Sequence, residues 1–375
     1  MLLELTPDQD FLRETTAKFL TARAPTEDIR RLRDDPTGFD REYWRRGADL
    51  GWTSLLVSEI GGGGSVSGQG LIDLTLIADE FGRHAAPGPL IPTSVVAAAL
   101  DAAGRHGPEL EALLSGAAVG SWCLEEPGWT TRLRDPQLTV DVDGDTVVLH
   151  GTKRPAESAA DADFLLVTGA TAGGLSQVLV PAGTPGVTIE RMRSIDLTRR
   201  FGAVTFDHVR LPLTAVVGPP GRSAPAVELQ LQTAIVMANA ETVGAMAAAF
   251  DMTVEWAFDR YSFGRPLASY QELKHRFADM KSWLESGHAI ADAAAIAVAE
   301  GAPNARHLVS VAKAFIGQYG MELLQDCVQI HGGIGVTFDH DLHLFLRRAA
   351  LNRSLLGTPA AHRQRVADIV IEEGQ

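Results

Sequence analysis

The chain opens on a helical pattern. Thr6-Pro7-Asp8-Gln9 supplies an N-cap hydroxyl, a first-turn proline and a capping-box partner. Phe11, Leu12, Phe19 and Leu20 then form one apolar stripe. The same period predicts helices over 39–50, 71–81, 92–103 and 109–114. Near Ala118 it gives way to short β-branched or apolar runs at 138–142, 146–150, 164–167, 177–180 and 203–206. Asp143-Gly144-Asp145, Gly173-Gly174 and Thr184-Pro185-Gly186 punctuate these runs as turns. From Val227 the helical period returns, through Leu231, Ile235, Met246, Phe250 and Val254, apolar on more than one side as in the central helix of a bundle. Further helices are expected at 271–300, 305–329, 341–351 and 362–371. The pattern predicts an α+β multidomain chain: an N-terminal α-helical domain (1–117), a middle antiparallel β-barrel or sandwich (118–220) and a C-terminal four-helix bundle (221–375).

Composition narrows the partners more than the fold. A chain of 375 residues with 45% hydrophobic and 21% charged residues is an ordinary globular protein. Its net charge of −14 argues against nucleic acid and anionic membranes while leaving room for a local basic pocket. The start Met-Leu-Leu-Glu has no basic leader, and no run approaches the ~20 apolar residues that span a bilayer. Only Cys123 and Cys327 are present, in no metal-type pair, so a reducing cytoplasmic location is expected. His340 and His343 share a helical spacing but lack a third ligand, so no metal is read there. Gly61 to Gly64 precede no suitably placed lysine and read as a close turn rather than a phosphate loop.

The most informative stretch runs from Arg260 to Met280. It reads as the end of one long helix, a tight Phe263-Gly264 turn with Pro266 beyond it, and a second helix carrying Leu273, Phe277 and Met280 at helical spacing. Arg260, Ser262, Phe263, Gly264, Tyr270, Gln271, Lys274, His275, Ala278, Asp279 and Met280 resemble a signature of the acyl-CoA dehydrogenase family, whose pattern has Gln where Ser262 stands. Gln329, Gly332, Gly333 and Gly335 resemble its Gln-x-x-Gly-Gly-x-Gly signature. Glu126-Pro127, Gly151-x-Lys153 and Asp207-x-Val209-Arg-Leu-Pro212 agree as well, so the resemblance covers essentially the whole chain.

The resemblance implies FAD-dependent α,β-desaturation of an acyl-CoA. A carboxylate removes the α-proton, the β-hydrogen leaves as hydride to flavin, and hydrogen-bond donors hold the thioester oxygen. Electrons would pass to an electron-transfer flavoprotein or a similar acceptor. Carried onto this chain, Arg260 would hold the flavin pyrophosphate of a neighbouring subunit. Ser262, Phe263 and Gly264 would form the turn beside that flavin, and Gln329, Gly332 and Gly333 would receive its adenine end.

Three departures bear on ownership of the flavin. Where the family has its C-terminal glutamate base followed by Gly-Thr, this chain has Leu356-Gly357-Thr358, which leaves only a backbone N–H for a thioester oxygen. The alternative base position on the long helix is Ala234, so Glu241, seven residues further along on the same face and about 10 Å up the axis, and Asp339 and Asp341 are the remaining candidates. The β-unit loops read Glu125-Glu126-Pro127-Gly128-Trp129 and Arg154-Pro155-Ala156-Glu157, without the family's Gly-Ser-Asp and with a carboxylate for a hydroxyl. The expectation is a subunit resembling the base-less chains of bacterial α2β2 acyl-CoA dehydrogenases for steroid side-chain thioesters, with a homologous partner supplying the base. Alternatives are a self-sufficient, homo-oligomeric dehydrogenase with a relocated base, and a non-redox acyl-thioester-binding protein. Ala238, Ala240, Gly244 and Ala245 on the long helix would permit either a broad acyl cavity or close helix packing.

Overall fold

The computed structural model describes residues 4–128 and 136–373. The predicted capping box is formed: Gln9 N–H donates to Thr6 Oγ1 at 3.2 Å and Thr6 N–H to Gln9 Oε1 at 3.1 Å, opening helix α1 (Pro7–Arg23). Its buried positions are Gln9, Leu12, Thr16 and Leu20, whereas Phe11 is 72% exposed. One residue of offset turns a side chain ~100° around a helix, which takes Phe11 off the stripe.

Helix α2 (Thr26–Arg31) buries only Ile29 among charged neighbours, which is why no apolar period announced it. There follow α3 (Arg41–Asp49), α4 (Gly70–Arg83), α5 (Leu90–Ala102) and α6 (Pro108–Leu114). After the β region come α7 (Ala224–Asp259), α8 (Gln271–Ala299), α9 (Ala305–His331), α10 (Leu342–Ser354) and α11 (Pro359–Glu373). The N- and C-terminal helices share one apolar core, running through Leu74, Ile77, Leu231, Met246 and Leu284. Two glycines set its tightest crossing. A Cβ on Gly82 would lie 1.9 Å from Glu241 O, and one on Gly244 would lie 2.0 Å from Asp79 O, so α4 and α7 meet backbone to backbone. Close packing is therefore one use of the small residues on α7. Contrary to the sequence expectation that no run is apolar enough to span a bilayer, α7 is, among the described residues, long and apolar enough to do so, but 89% of its most apolar window is buried inside the fold.

The middle region holds β1 (Gly120–Cys123), β2 (Thr139–Asp143), β3 (Thr146–Glu157), β4 (Phe164–Thr171), β5 (Gly174–Pro181), β6 (Val187–Met192), β7 (Phe201–Pro212) and β8 (Val216–Val217). Among the described residues they form one eight-stranded sheet in the order β6-β7-β3-β2-β4-β5-β8, with β1 added on β4. The sheet is mixed where the sequence predicted an antiparallel one. β1 lies parallel to β4, and β2 meets β4 in parallel at Thr139 and Ala170. Its curled face encloses a second core of Val140, Leu149, Leu165, Val178, Val204 and Phe206. The buried pair Lys153–Glu126, 2.6 Å apart, fastens β3 to the loop after β1. The same carboxylate accepts the N–H groups of Gln137 (2.6 Å) and Leu138 (3.1 Å). The Glu126-Pro127 and Gly151-x-Lys153 agreements thus meet in one structural bridge. The glycines from Gly61 make a close turn, since a Cβ on Gly63 would sit 2.4 Å from Val57 O.

Candidate functional site: an exposed arm and a closed cleft

The Arg260 stretch departs from a plain helical corner. Between α7 and α8 the chain forms a small β-hairpin, Tyr261–Ser262 paired with Arg265–Pro266. Phe263 and Gly264 at its tip have φ of +47° and +81°. Two successive left-handed residues are what a two-residue hairpin turn needs, and a phenylalanine there carries strain that a glycine would not. Phe263 is 98% exposed, next to Tyr261 at 62%. Tyr270 braces the hairpin by donating its hydroxyl to Ser262 O at 2.7 Å and by lying under the Arg265 guanidinium, 3.8 Å from the ring centre.

A stacked ladder joins this hairpin to the second signature. The Arg260 guanidinium lies 6.0 Å from the Trp256 ring, Trp256 stacks on His331 at 5.2 Å, and His331 meets His340 at 4.5 Å. Gly332 follows at φ +66°, capping α9 by donating its N–H to Gln329 O. The fold therefore brings Arg260, Gln329 and Gly332-Gly333 to one end of the bundle. Cβ atoms built on Gly264, Gly332 and Gly333 would meet nothing within 4 Å, so the backbone there stands open to a ligand. Nearby, Trp256 Nε1 and His331 Nε2 are buried with no hydrogen-bond partner among the described residues. These features fit the pyrophosphate and adenine end of a dinucleotide presented from outside the chain.

The other half of a flavin site does not fit. Leu356, where the resemblance places the family's base, has φ +57°, and its N–H donates to Glu125 Oε1 at 2.8 Å. The donor that was to hold a thioester oxygen is already taken. Glu125 lies half-buried in a narrow, largely apolar cleft with Ile91, Trp122, Leu124, Ala238 and Leu355. The free space is only about 40 Å³, an order of magnitude below a ligand pocket. Burial pushes the Glu125 carboxyl up to about 7, against the pull of the Leu356 N–H and of Lys313. Lys313 is pushed down to about 7 by its own burial and donates to Asn352 O.

By sequence alone Glu125 reads only as a loop residue. Its meaning depends on Leu356, far along the chain, and no local pattern could have revealed it. The consequence is a pH effect of defined sign. The folded chain keeps the Glu125 proton where the unfolded chain has lost it, so this group's contribution is full at low pH and is lost as pH rises from 4.5 through about 7. Glu125→Gln removes the titration. Its Tm relative to the parent is expected to climb across that window, and parallel profiles would contradict the assignment.

Glu157, the second inserted carboxylate, also lines the cleft and clasps Arg199 through bonds of 2.7 and 2.5 Å. Arg199 reaches on to Glu241 Oε2 (3.0 Å) and Asn352 Oδ1 (2.5 Å). Glu241's other oxygen takes Arg348 Nη1 at 2.7 Å, and Asn352 Nδ2 donates to Oε2 at 2.7 Å. Arg348 also holds Asp196. Glu241, a candidate base, is thus fixed in a buried ionic cluster with both oxygens committed, and Ala234, about two turns earlier on α7, is fully buried. Asp341 pairs with Arg30, whose guanidinium also binds Asp339 O. His343 Nε2 lies 3.2 Å from Phe338 O and His340 Nδ1 accepts from Leu342 N–H at 3.2 Å, which makes both local structural groups. Trp129 lies outside the described residues.

A larger cavity of about 720 Å³ opens beside the β6–β7 connection. Arg33, Arg191, Arg193, Arg200 and Arg347 line it against Asp34 and Asp196, and Asp196 is already held by Arg348. On a chain of −14 this is a local excess of positive charge, of the kind that receives phosphate groups.

Residues 6–109 match the family description "Acyl-CoA dehydrogenase, N-terminal domain" and residues 226–371 match "Acyl-CoA dehydrogenase, C-terminal domain". The chain is 30% identical over 360 residues to acyl-CoA dehydrogenase IpdE2 of Mycobacterium tuberculosis, covering 95% of each. It is 28% identical over 365 residues to IpdE2 of Mycolicibacterium smegmatis, covering 96% of this chain and 98% of the relative. Among solved structures, a variant of the Tcur3481–Tcur3483 steroid ACAD superposes with a TM-score of 0.88 at 28% identity, covering 98% of each chain. The ChsE4–ChsE5 complex from Mycobacterium tuberculosis shares the fold, with a TM-score of 0.90 at 24% identity over 99% of each chain. Matched in both helical regions and along nearly its whole length, the chain belongs to the acyl-CoA dehydrogenase family of oxidoreductases acting on CH–CH bonds.

Proposed function

We propose that this chain is the base-less subunit of a heteromeric acyl-CoA dehydrogenase, lending Arg260, Ser262, Phe263, Gly264, Gln329, Gly332 and Gly333 to FAD held mainly by a homologous partner. The observation that carries this reading is the Leu356 N–H bound to Glu125 in a cleft with about 40 Å³ of room. A subunit that kept its own flavin and thioester would need that donor free. The bound flavin supplies the redox step, and the partner supplies the carboxylate base. This chain supplies cationic and backbone donors for the dinucleotide and a left-handed turn that projects Phe263 outward. An exposed aromatic at a strained tip is costly in isolation and is accounted for once a neighbour covers it.

The arginine-lined cavity suits the phosphates of an acyl-CoA. Likeness to a protein described as a steroid ACAD makes a steroid side-chain thioester the first acyl group to try. An electron-transfer flavoprotein is the expected acceptor. The relocated-base alternative on Glu241 is disfavoured by the two arginines that hold its carboxylate. The reading is tested by expression. Alone, the chain is expected to purify colourless or poorly soluble, and co-expression with a homologue that keeps the C-terminal glutamate is expected to yield a yellow complex. A yellow, active enzyme from this chain alone would overturn it.

A further inference from the structure

Away from the arm and the cleft, the β3–β7 ladder gathers one set of metal-type ligands. Gly151 pairs with Phe206 and Leu149 with Val209, so between these pairs β3 contributes His150 alone while β7 contributes both Asp207 and His208. Two residues facing one make a β-bulge, and a bulge breaks the alternation that would send neighbouring side chains to opposite faces. His208 takes up the extra turn at φ +50°, a conformation histidine tolerates better than most residues. The bulge is held from the turn that leads into β6, because Asp207 N–H donates to Gly186 O at 2.9 Å. A side chain on Gly186 would crowd it, since a Cβ there would lie 2.9 Å from Asp207 O.

The outcome is a compact triad. Ligand atoms of His150, Asp207 and His208 all lie within 4.8 Å of one another. Asp207 Oδ1 is 2.9 Å from His208 Nδ1 and 3.9 Å from His150 Nδ1, and the two imidazole centres are 4.3 Å apart.

We propose that His150, Asp207 and His208 bind a divalent transition-metal ion of the zinc class. Bonds of ~2.0–2.2 Å from one tetrahedral ion set its ligand atoms about 3.3 Å apart, and the observed 2.9 and 3.9 Å bracket that value. Two imidazoles and a carboxylate are the donor set of zinc, nickel or copper. Calcium instead takes six to eight oxygens. The side chains are 55%, 76% and 69% exposed, so the fourth position faces outward, open to water or to a side chain of another molecule. The histidines stand on different strands, which is why sequence spacing held no sign of the site.

Isothermal titration of the chelator-treated full chain, in the assembly in which it purifies, with zinc chloride tests the site. One equivalent should bind. His150→Ala and His208→Ala should each weaken binding by at least the 10–100-fold that loss of even an outer partner costs a metal site. His150 stands opposite the bulge rather than in it, so its variant leaves the strained residue untouched. Absence of zinc binding, or parental affinity in either folded variant, overturns the assignment.

Discussion

Replacing Arg348 with Met is expected to cost the fold about 3–5 kcal/mol, the range for removing one partner of a buried ion pair. Arg348 is 1% exposed. Its guanidinium holds Asp196 and Glu241, donates to Ala85 O (3.2 Å) and Ala86 O (3.0 Å), and reaches Thr198 Oγ1 at 2.8 Å. Those contacts tie α10 to α7, to the end of α4 and to the β6–β7 connection, so the whole cluster depends on one planar fork. Methionine fills the space but strips Asp196 and Glu241 of this partner in a low-dielectric interior, where Arg199 is already shared between Glu157 and Glu241. Arg348→Lys keeps the charge and loses the fork, so an intermediate loss is expected. Urea unfolding of the three proteins reads the order directly. A loss below about 1 kcal/mol for the Met variant, typical of an exposed pair, would mean that the cluster does not act as described. Glu241→Gln belongs to the same test, and its effect should appear in stability rather than in a pH-rate profile.

The second large effect concerns the arm. In the heteromeric complex, Arg260→Ala should weaken flavin retention about 10- to 100-fold. A hydrogen bond to a charged group contributes about 1.5–3 kcal/mol, and each 1.4 kcal/mol is a factor of ten. Arg260 is exposed at the end of α7 with its guanidinium 6.0 Å from the Trp256 ring, so its removal leaves no buried charge behind. Arg265 provides the control, because its guanidinium is already stacked on Tyr270. Arg265→Ala should leave flavin content close to the parent's. Equal losses from both variants would indicate that the hairpin as a whole, rather than the Arg260 charge, is at issue.

What could be read in advance follows the range of each interaction. The arm was legible because its signal is local: a long apolar period ending at Arg260, a glycine and a proline at the turn, and a new period from Gln271. Its finer form was not, since a two-residue hairpin with Phe263 at positive φ contradicts the usual preference for glycine or asparagine. β6 escaped notice because its residues Val187–Met192 are exposed or half-buried throughout and include Glu190 and Arg191. That a leucine stands where the family resemblance places its base was legible at Leu356, a single position. What replaced it was not, because Glu125–Leu356, Glu157–Arg199 and Arg348–Asp196 join residues that only the folded chain brings together. Such pairs leave no period or spacing behind them.

On the proposed function, this chain contributes to a flavin site without owning one. The most direct measurement is the flavin-to-chain ratio of the complex purified with its homologue, by absorbance and intact mass. One flavin for each pair of different chains is predicted, since the Glu125 cleft is closed while the Arg260 end stands open. Two flavins per pair, or a stoichiometric flavin on this chain alone, would contradict it.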